Sequence, residues 1–450
     1  MGAAGSADLL VPRGGLPRPP RCPPSVAAAQ PPLGAPRFER ADGPTGAGSL
    51  GVRDDAVEAP SDELVEVPEL EGGPRGARYG VYVHCLFCRS RCPYCDFNIA
   101  IYREDRLRPF LTALQGELAR YAALTWAGRV PAVSLFFGGG TPSLFPPEEI
   151  GELIRAARRG LGLLGHAEVT LEANPEGLDA ARLAAFRAAG VTRLSLGVQA
   201  LDDALLHRLG REHSAETARR AFAAARAAGF DNVSVDLLYA CPGQDLAAWR
   251  RTLDAVLAWR PEHLSAYALT LEPGTAFGRR PPADLPDEAS VVAQFEVLCE
   301  RAAVAGLDRY EISNFARPGF HSRHNLLYWR REEYLGLGPG AHAALGAARF
   351  GNLRAHTRYR AAVAAGRWPI EWREALTPTQ IRGEQIILGL RLTEGIPQAW
   401  LAAHFAEEPE RLARVLDRHL AAGVLEAREG RLSLTSRGVL LSDTVFADLL

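Results

Sequence analysis

From Tyr79 onward two patterns alternate along the chain: short apolar or β-branched runs, then longer Ala/Leu/Arg-rich stretches with a helical period. The runs predict strands over 81–84, 133–137, 168–173, 193–199, 232–239 and 263–269, each apolar or β-branched on both faces. Between them the period predicts helices over 104–123, 147–160, 179–189, 215–229 and 245–258, with Gly160, Gly190 and Gly229 as C-caps. Repeated βα units with right-handed crossovers imply an α/β fold, a parallel sheet covered by helices. Whether that sheet is open and doubly wound or curls into a full or partial barrel stays open on this pattern.

A different grammar governs 376–450, where three amphipathic helices precede two short strands around Arg428, Glu429 and Gly430 and a last helix, a winged-helix pattern. Its arginines are balanced by Glu384, Glu407, Glu408, Glu410 and Asp417, which favours packing or protein contact over DNA. Residues 79–350 are read as the core domain and 351–375 as a linker. Residues 1–78 read as a disordered extension, since 18 of the first 50 are Pro or Gly. A mis-assigned start would look the same, and a transit peptide is opposed by Asp8, Glu39 and the prolines.

Composition narrows the function. The chain has 450 residues and a formal net charge of −2, so neither a basic nucleic-acid groove nor a polybasic membrane patch is expected. There is no run of about 18 apolar residues to span a membrane, and a cytoplasmic protein is expected. All 51 cationic side chains are arginine, which excludes Schiff-base, P-loop and kinase-type lysine chemistry.

The chemistry begins after the first strand, where HCLFCRSRCPYCDF places Cys88, Cys92 and Cys95 at C-x3-C-x2-C spacing. Three thiolates this close suit one compact cluster, and a [4Fe-4S] cube held by three cysteines keeps one iron open. Cys85 leaves other readings in play. It extends the motif to four cysteines, which would serve a zinc site, although the two pairs are closer than zinc knuckles place them, or a fully ligated ferredoxin-type cluster. The preferred reading makes Cys85 a small buried side chain.

The cysteine spacing, with Tyr82, His84 and Phe87 before it, resembles the cluster loop of the radical S-adenosylmethionine (SAM) superfamily, whose fold is a partial (βα)6 TIM-like barrel. In that family SAM chelates the open iron. Further polar marks sit at strand C-termini: the Gly138–Ser143 stretch GGGTPS, Glu172, Gln199 and Asp236. Taken singly, each of these is better explained by a turn or a loop anchor. Together they resemble the oxygen-independent coproporphyrinogen III oxidase (HemN-like) family from Tyr79 to the C-terminus. The resemblance implies that Cys88, Cys92 and Cys95 bind the cluster and that Tyr82, Gly139, Gly140 and Thr141 contact SAM. Glu172 would hold its ribose, with Gln199, Arg211 and Asp236 completing that site or a second SAM site.

Two features separate the chain from the oxidase. Phe97 stands where that enzyme has an additional cysteine, and HNLLYW at 324–329 fits the H-N-x-x-Y-W signature of the heme chaperone subfamily, HemW. The subfamily resemblance implies a protein that binds heme and passes it to acceptor proteins, with a separate electron donor to the cluster. The alternative is porphyrin biosynthesis by coproporphyrinogen III oxidation. His324 is the candidate axial ligand, Tyr328 and Trp329 the porphyrin-facing surface, Arg317 and Arg323 the propionate partners. His321 and His342 are rival ligands. On residue type alone His324 and Asn325 would be loop anchors and the aromatics core. The LGLGPGAH run at 335–342 is read as a turn.

Overall fold

The computed structural model describes residues 65–450. Most of the extension read over 1–78 therefore lies outside the described residues, as does Cys22. Six strands form the centre: β1 (Tyr79–Cys85), β2 (Ala132–Gly139), β3 (Leu163–Ala173), β4 (Arg193–Gln199), β5 (Val233–Tyr239) and β6 (His263–Ala268). They lie side by side in chain order, each parallel to the next. A doubly wound sheet would reverse its order at a switch point. Sequential order resolves the choice left open above in favour of the partial barrel.

The sheet does not close on itself. Beyond β6, β8 (Asn314–Ala316) runs antiparallel and carries β7 (Asp308–Arg309) at the edge. Beyond β1 lie β9 (Tyr334–Leu337), parallel to it, then antiparallel β10 (His342–Leu345), β11 (Ala348–Asn352) and β12 (Ile370–Ala375). The run read as a turn over 335–342 thus begins as a strand and turns at Gly338 and Gly340, both at positive φ (99° and 75°). Residues 351–375 are not a linker: they hold the end of β11, a helix (His356–Ala364) and β12, all tied to the main sheet.

Helices α1 (Glu104–Ala122), α2 (Pro147–Gly160), α3 (Ala180–Ala189), α4 (Ala215–Ala227) and α5 (Leu246–Ala258) match the predicted ones within a residue or two at each end. Asp179, Ser214 and Asp245 cap the last three, each side chain accepting a backbone N–H. Gly190 and Gly229 take the left-handed conformation expected of C-caps (φ 111° and 83°). Gly160 does not; it ends α2, where a Cβ would lie 2.5 Å from that of Ala122.

Strand alternation divides the sheet into two chemistries. Val81, Val83, Leu135, Phe137, Val169, Leu171, Leu194, Leu196, Val233 and Val235 are buried in the main apolar core. Their alternate neighbours Ser134, Thr170, Ser195, Ser234 and Ser265 are buried too, but polar. One strand face is therefore uniformly apolar, while the other mixes small hydroxyls with Tyr82, Phe136 and Leu238.

Residues 65–78 are ordered against the barrel. Leu70 is buried and its carbonyl accepts Trp126 Nε1 at 2.6 Å, Glu69 pairs with Arg373, and the Gly76 N–H donates to Glu333 at 2.6 Å. The C-terminal part has helices Pro378–Arg391, Gln398–His404 and Pro409–Ala421, then a hairpin of Leu425–Arg428 and Arg431–Leu434 turning at Glu429 and Gly430. The single last helix expected is two, Ser436–Leu440 and Ser442–Leu449.

Candidate cluster and cofactor site

One cleft, enclosing about 1310 Å³ with its open mouth, lies over the C-terminal ends of the parallel strands. Its lining includes Cys88, Cys92, Cys95, Gly139, Gly140, Thr141, Glu172, Gln199, Arg211 and Asp236. Ten of the twelve residues read as cluster ligands, SAM contacts or the axial heme ligand thus share one site, because side chains at the ends of neighbouring parallel strands must converge.

The glycine strap after β2 holds the cysteine loop. The Gly140 N–H donates to Cys85 O at 2.7 Å and the Thr141 N–H to Phe87 O at 2.8 Å. A Cβ on Gly140 would fall 2.6 Å from Phe87 O and 2.7 Å from Cys85 O. Gly139 has φ +104°, and its Cβ would strike the His84 ring. Close contact within the chain itself, with the His84 ring at Gly139 and with backbone at Gly140, requires these glycines, a role the ligand-centred reading did not include.

Polar groups join the cysteines in an arc. Thr141 Oγ1 donates to Cys88 Sγ at 3.4 Å and accepts Asn174 Nδ2 at 3.2 Å; Asn174 Oδ1 accepts Arg211 Nη2 at 2.5 Å; Arg211 Nη1 lies 3.8 Å from Cys92 Sγ. Asn174 was not anticipated. It follows β3 directly, two residues beyond Glu172, and that position was the available signal. Arg211 also donates to Gly197 O at 3.0 Å, and Gln199 ends β4 at φ +64°, a costly conformation for a side-chain-bearing residue.

Glu172 accepts the Gly139 N–H at 3.3 Å. Asp236 is held by Ser195 Oγ, at 3.1 and 3.0 Å from its two oxygens, and by Ser234 Oγ at 3.3 Å; burial moves its pKa up against these donors and Arg193. Burial pushes the Cys88 thiol up to about 11 and that of Cys95 to about 12. These thiols need an attached metal to stay ionised at neutral pH.

The donor set fits a cluster better than one ion. Cys88, Cys92 and Cys95 share the cleft lining, the three-sulfur donor set that leaves one iron of a cube open. Cys85 is fully buried in the apolar core and absent from the cleft lining, as its reading as a packed side chain requires. Three thiols therefore face the cleft.

Two candidates fall outside it. Tyr82 is 4% exposed, packed with Phe136 and Ala341, and its hydroxyl lies 3.1 Å from His84 Nδ1. Since His84 Nε2 must donate to Asn98 O at 2.7 Å, Nδ1 is the acceptor and Tyr82 donates. Tyr82 thus props the loop from below instead of lining the cofactor space. His324 is fully buried on the helix Arg323–Trp329, with Nδ1 2.8 Å from Ser134 Oγ and Nε2 2.8 Å from Tyr328 OH. Burial lowers its pKa to about 3, so the ring is neutral, one nitrogen donates and the lone pair of the other accepts a hydroxyl proton; in this conformation that lone pair is not free for iron. His321 is partly exposed and stacks on Tyr310; His342 packs edge-on against Trp372.

Comparison with known proteins follows the same lines. The Radical SAM superfamily profile matches residues 82–256 and the HemN C-terminal domain profile 376–441. The protein named heme chaperone HemW in Mycobacterium tuberculosis is 39% identical over 395 residues, spanning 86% of this chain and 98% of that one. HemW of Bacillus subtilis is 34% identical, spanning 82% and 98%. Among solved structures, coproporphyrinogen III oxidase (HemN) of Escherichia coli shares the fold, with TM-score 0.73 and 24% identity over 83% of this chain and 91% of that chain. With relatives of this identity matched along nearly their whole length, the chain belongs to the HemW family of radical SAM proteins.

Proposed function

We propose that this chain holds a [4Fe-4S] cluster on Cys88, Cys92 and Cys95 with SAM beside it, and binds heme for delivery to acceptor proteins in the cytoplasm. The observation that carries the first half is the cleft itself, in which three thiols, the glycine strap, Glu172 and Arg211 face one space. The second half is supported by the name borne by relatives 34 to 39% identical to the chain. Once bound, such a cluster supplies an open iron and an electron from a separate donor protein.

The protein's own residues prepare that site. The Arg211 guanidinium lies beside Cys92, and the Thr141 hydroxyl donates to Cys88, where it opposes the burial that raises that thiol. Glu172, fixed through Gly139, offers a carboxylate suited to ribose hydroxyls, and the lumen hydroxyls hold Asp236 in place. Axial ligation by His324 would first require its bonds to Ser134 and Tyr328 to break.

Anaerobic reconstitution with iron and sulfide, followed by visible and EPR spectra with and without SAM, tests the first half. A cluster spectrum that SAM perturbs is expected; one lost in Cys85→Ser but retained in Cys88→Ala would overturn the ligand assignment. Hemin titration beside coproporphyrinogen turnover tests the second. Turnover without hemin binding would return the chain to the oxidase reading.

A further inference from the structure

A second, shallow cavity, about 470 Å³ with its open mouth, lies at the seam between the barrel and the C-terminal domain, away from the cysteines. Its wall is aromatic, with Tyr328, Trp329 and Tyr334; Trp329 is 4% exposed and its Nε1–H has no hydrogen-bond partner among the described residues. Two guanidinium groups, half-buried Arg331 and buried Arg349, also line it, and both are clasped by one carboxylate, Glu384 of the helix Pro378–Arg391.

The other acids here are already committed. Glu332 pairs with Arg78 at 2.6 Å, and Glu333 accepts the N–H groups of Gly76 and Gly346, both at 2.6 Å. Displacing Glu384 would leave two cations beside flat apolar surface, with the spare Trp329 N–H in the same wall. Arg331 is held at φ +54°, a strained conformation that presents its side chain here.

We propose that this seam recognises the carboxylates of a planar aromatic ligand, the porphyrin propionates, through Arg331 and Arg349, and that Glu384 occupies the carboxylate position until the ligand displaces it. The proposal rests on the heme-binding reading and adds to it the recognition element and its internal competitor. Arg317 and Arg323, the propionate partners suggested by sequence, do not line the cavity; Arg317 spends its Nε on Pro261 O.

The test is equilibrium titration of the full chain with hemin and with hemin dimethyl ester, followed by absorbance. Glu384→Gln removes the competing charge and should tighten hemin binding about tenfold; Arg349→Gln should weaken it by about tenfold or more, the scale of a charge-assisted hydrogen bond. The ester should bind the wild type more weakly than hemin and be nearly insensitive to both changes. Opposite shifts cannot both come from loss of fold, and melting curves of each variant check this directly. If the wild type binds no hemin, the heme reading and this proposal fall together. If it binds hemin and ester alike, and both variants match it, heme binding stands and the seam is excluded.

Discussion

At the scale of single residues, the cysteine site depends on close backbone contact as much as on ligands. Gly140→Ala would press a Cβ against two carbonyls of the cysteine loop, which must move. Overpacking of this kind costs about 1 to 3 kcal/mol. The variant should also retain less iron after reconstitution than the wild type, read by metal analysis. A second residue effect is electrostatic. Glu117 is fully buried, accepting Tyr359 OH and Asn352 Nδ2 at 2.6 Å and the Gly338 N–H at 2.8 Å, yet burial outweighs these donors and lifts its pKa to about 7. Its folded pKa exceeds the unfolded one, so between pH 4.5 and 7 the unfolded state holds fewer protons and stability falls as pH rises. Over that window the decline is about 3 kcal/mol. Urea midpoints of Glu117→Gln should lack this part of the slope, whatever the variant's offset. The cysteines, Glu172 and Asp236 stood out because motif spacing and strand positions mark them, whereas Arg211, after a short helix, came only through the family resemblance. His324 stands as residue type alone reads it, a hydrogen-bonded anchor with both ring nitrogens partnered, while its reading as a heme ligand came only from the subfamily resemblance.

At the scale of elements, periodicity located the six parallel strands and the helices between them, because burial of one strand face and one helix stripe leaves a repeating mark. It did not find the strap at 65–78 or the strand at 370–375. The strap is secured by a few long-range contacts, Trp126 Nε1 to Leu70 O and Glu69 to Arg373, rather than by a continuous apolar period. The strand IEWREA is mostly half-exposed at the sheet edge, so alternation in it is faint. The strap's contacts are testable by truncation. A chain starting at Tyr79 loses the Leu70 burial, the Trp126 bond and the pairs to Glu333 and Arg373, whereas one starting at Val65 keeps them. The shorter chain should melt at least about 5 °C lower, since each kcal/mol moves the midpoint of a domain this large by about 2 to 4 °C. Equal midpoints would mean that the strap contributes nothing to the barrel.

At the scale of the whole molecule, the barrel and the C-terminal domain are joined by buried polar contacts that tie the site to the seam. From the cleft, Asp236 leads to Ser234, then to His263 Nδ1 at 2.8 Å, and from His263 Nε2 to Tyr310 OH at 2.9 Å. The same hydroxyl takes the N–H of Ser322, which caps the helix Arg323–Trp329, and the Tyr310 carbonyl accepts the Thr393 N–H. Beside this path Arg391, at the end of the first C-terminal helix, pairs with fully buried Glu311 at 2.6 Å and lies 4.1 Å over the Trp329 ring. Glu311 also accepts Ser313 N–H at 2.9 Å and Asn314 Nδ2 at 2.5 Å, so it is fixed in place with or without the arginine. Removing one partner of a buried pair strands the other charge, at a cost of about 3 to 5 kcal/mol, while replacing both can be nearly neutral. Arg391→Met should therefore lower unfolding stability by that amount and open the seam to limited proteolysis between the domains. Arg391→Met combined with Glu311→Gln should recover much of the loss, because the uncompensated charge is gone. If the double variant is as unstable as the sum of the singles, the seam is held by packing of Arg391 on Trp329 and not by the ion pair.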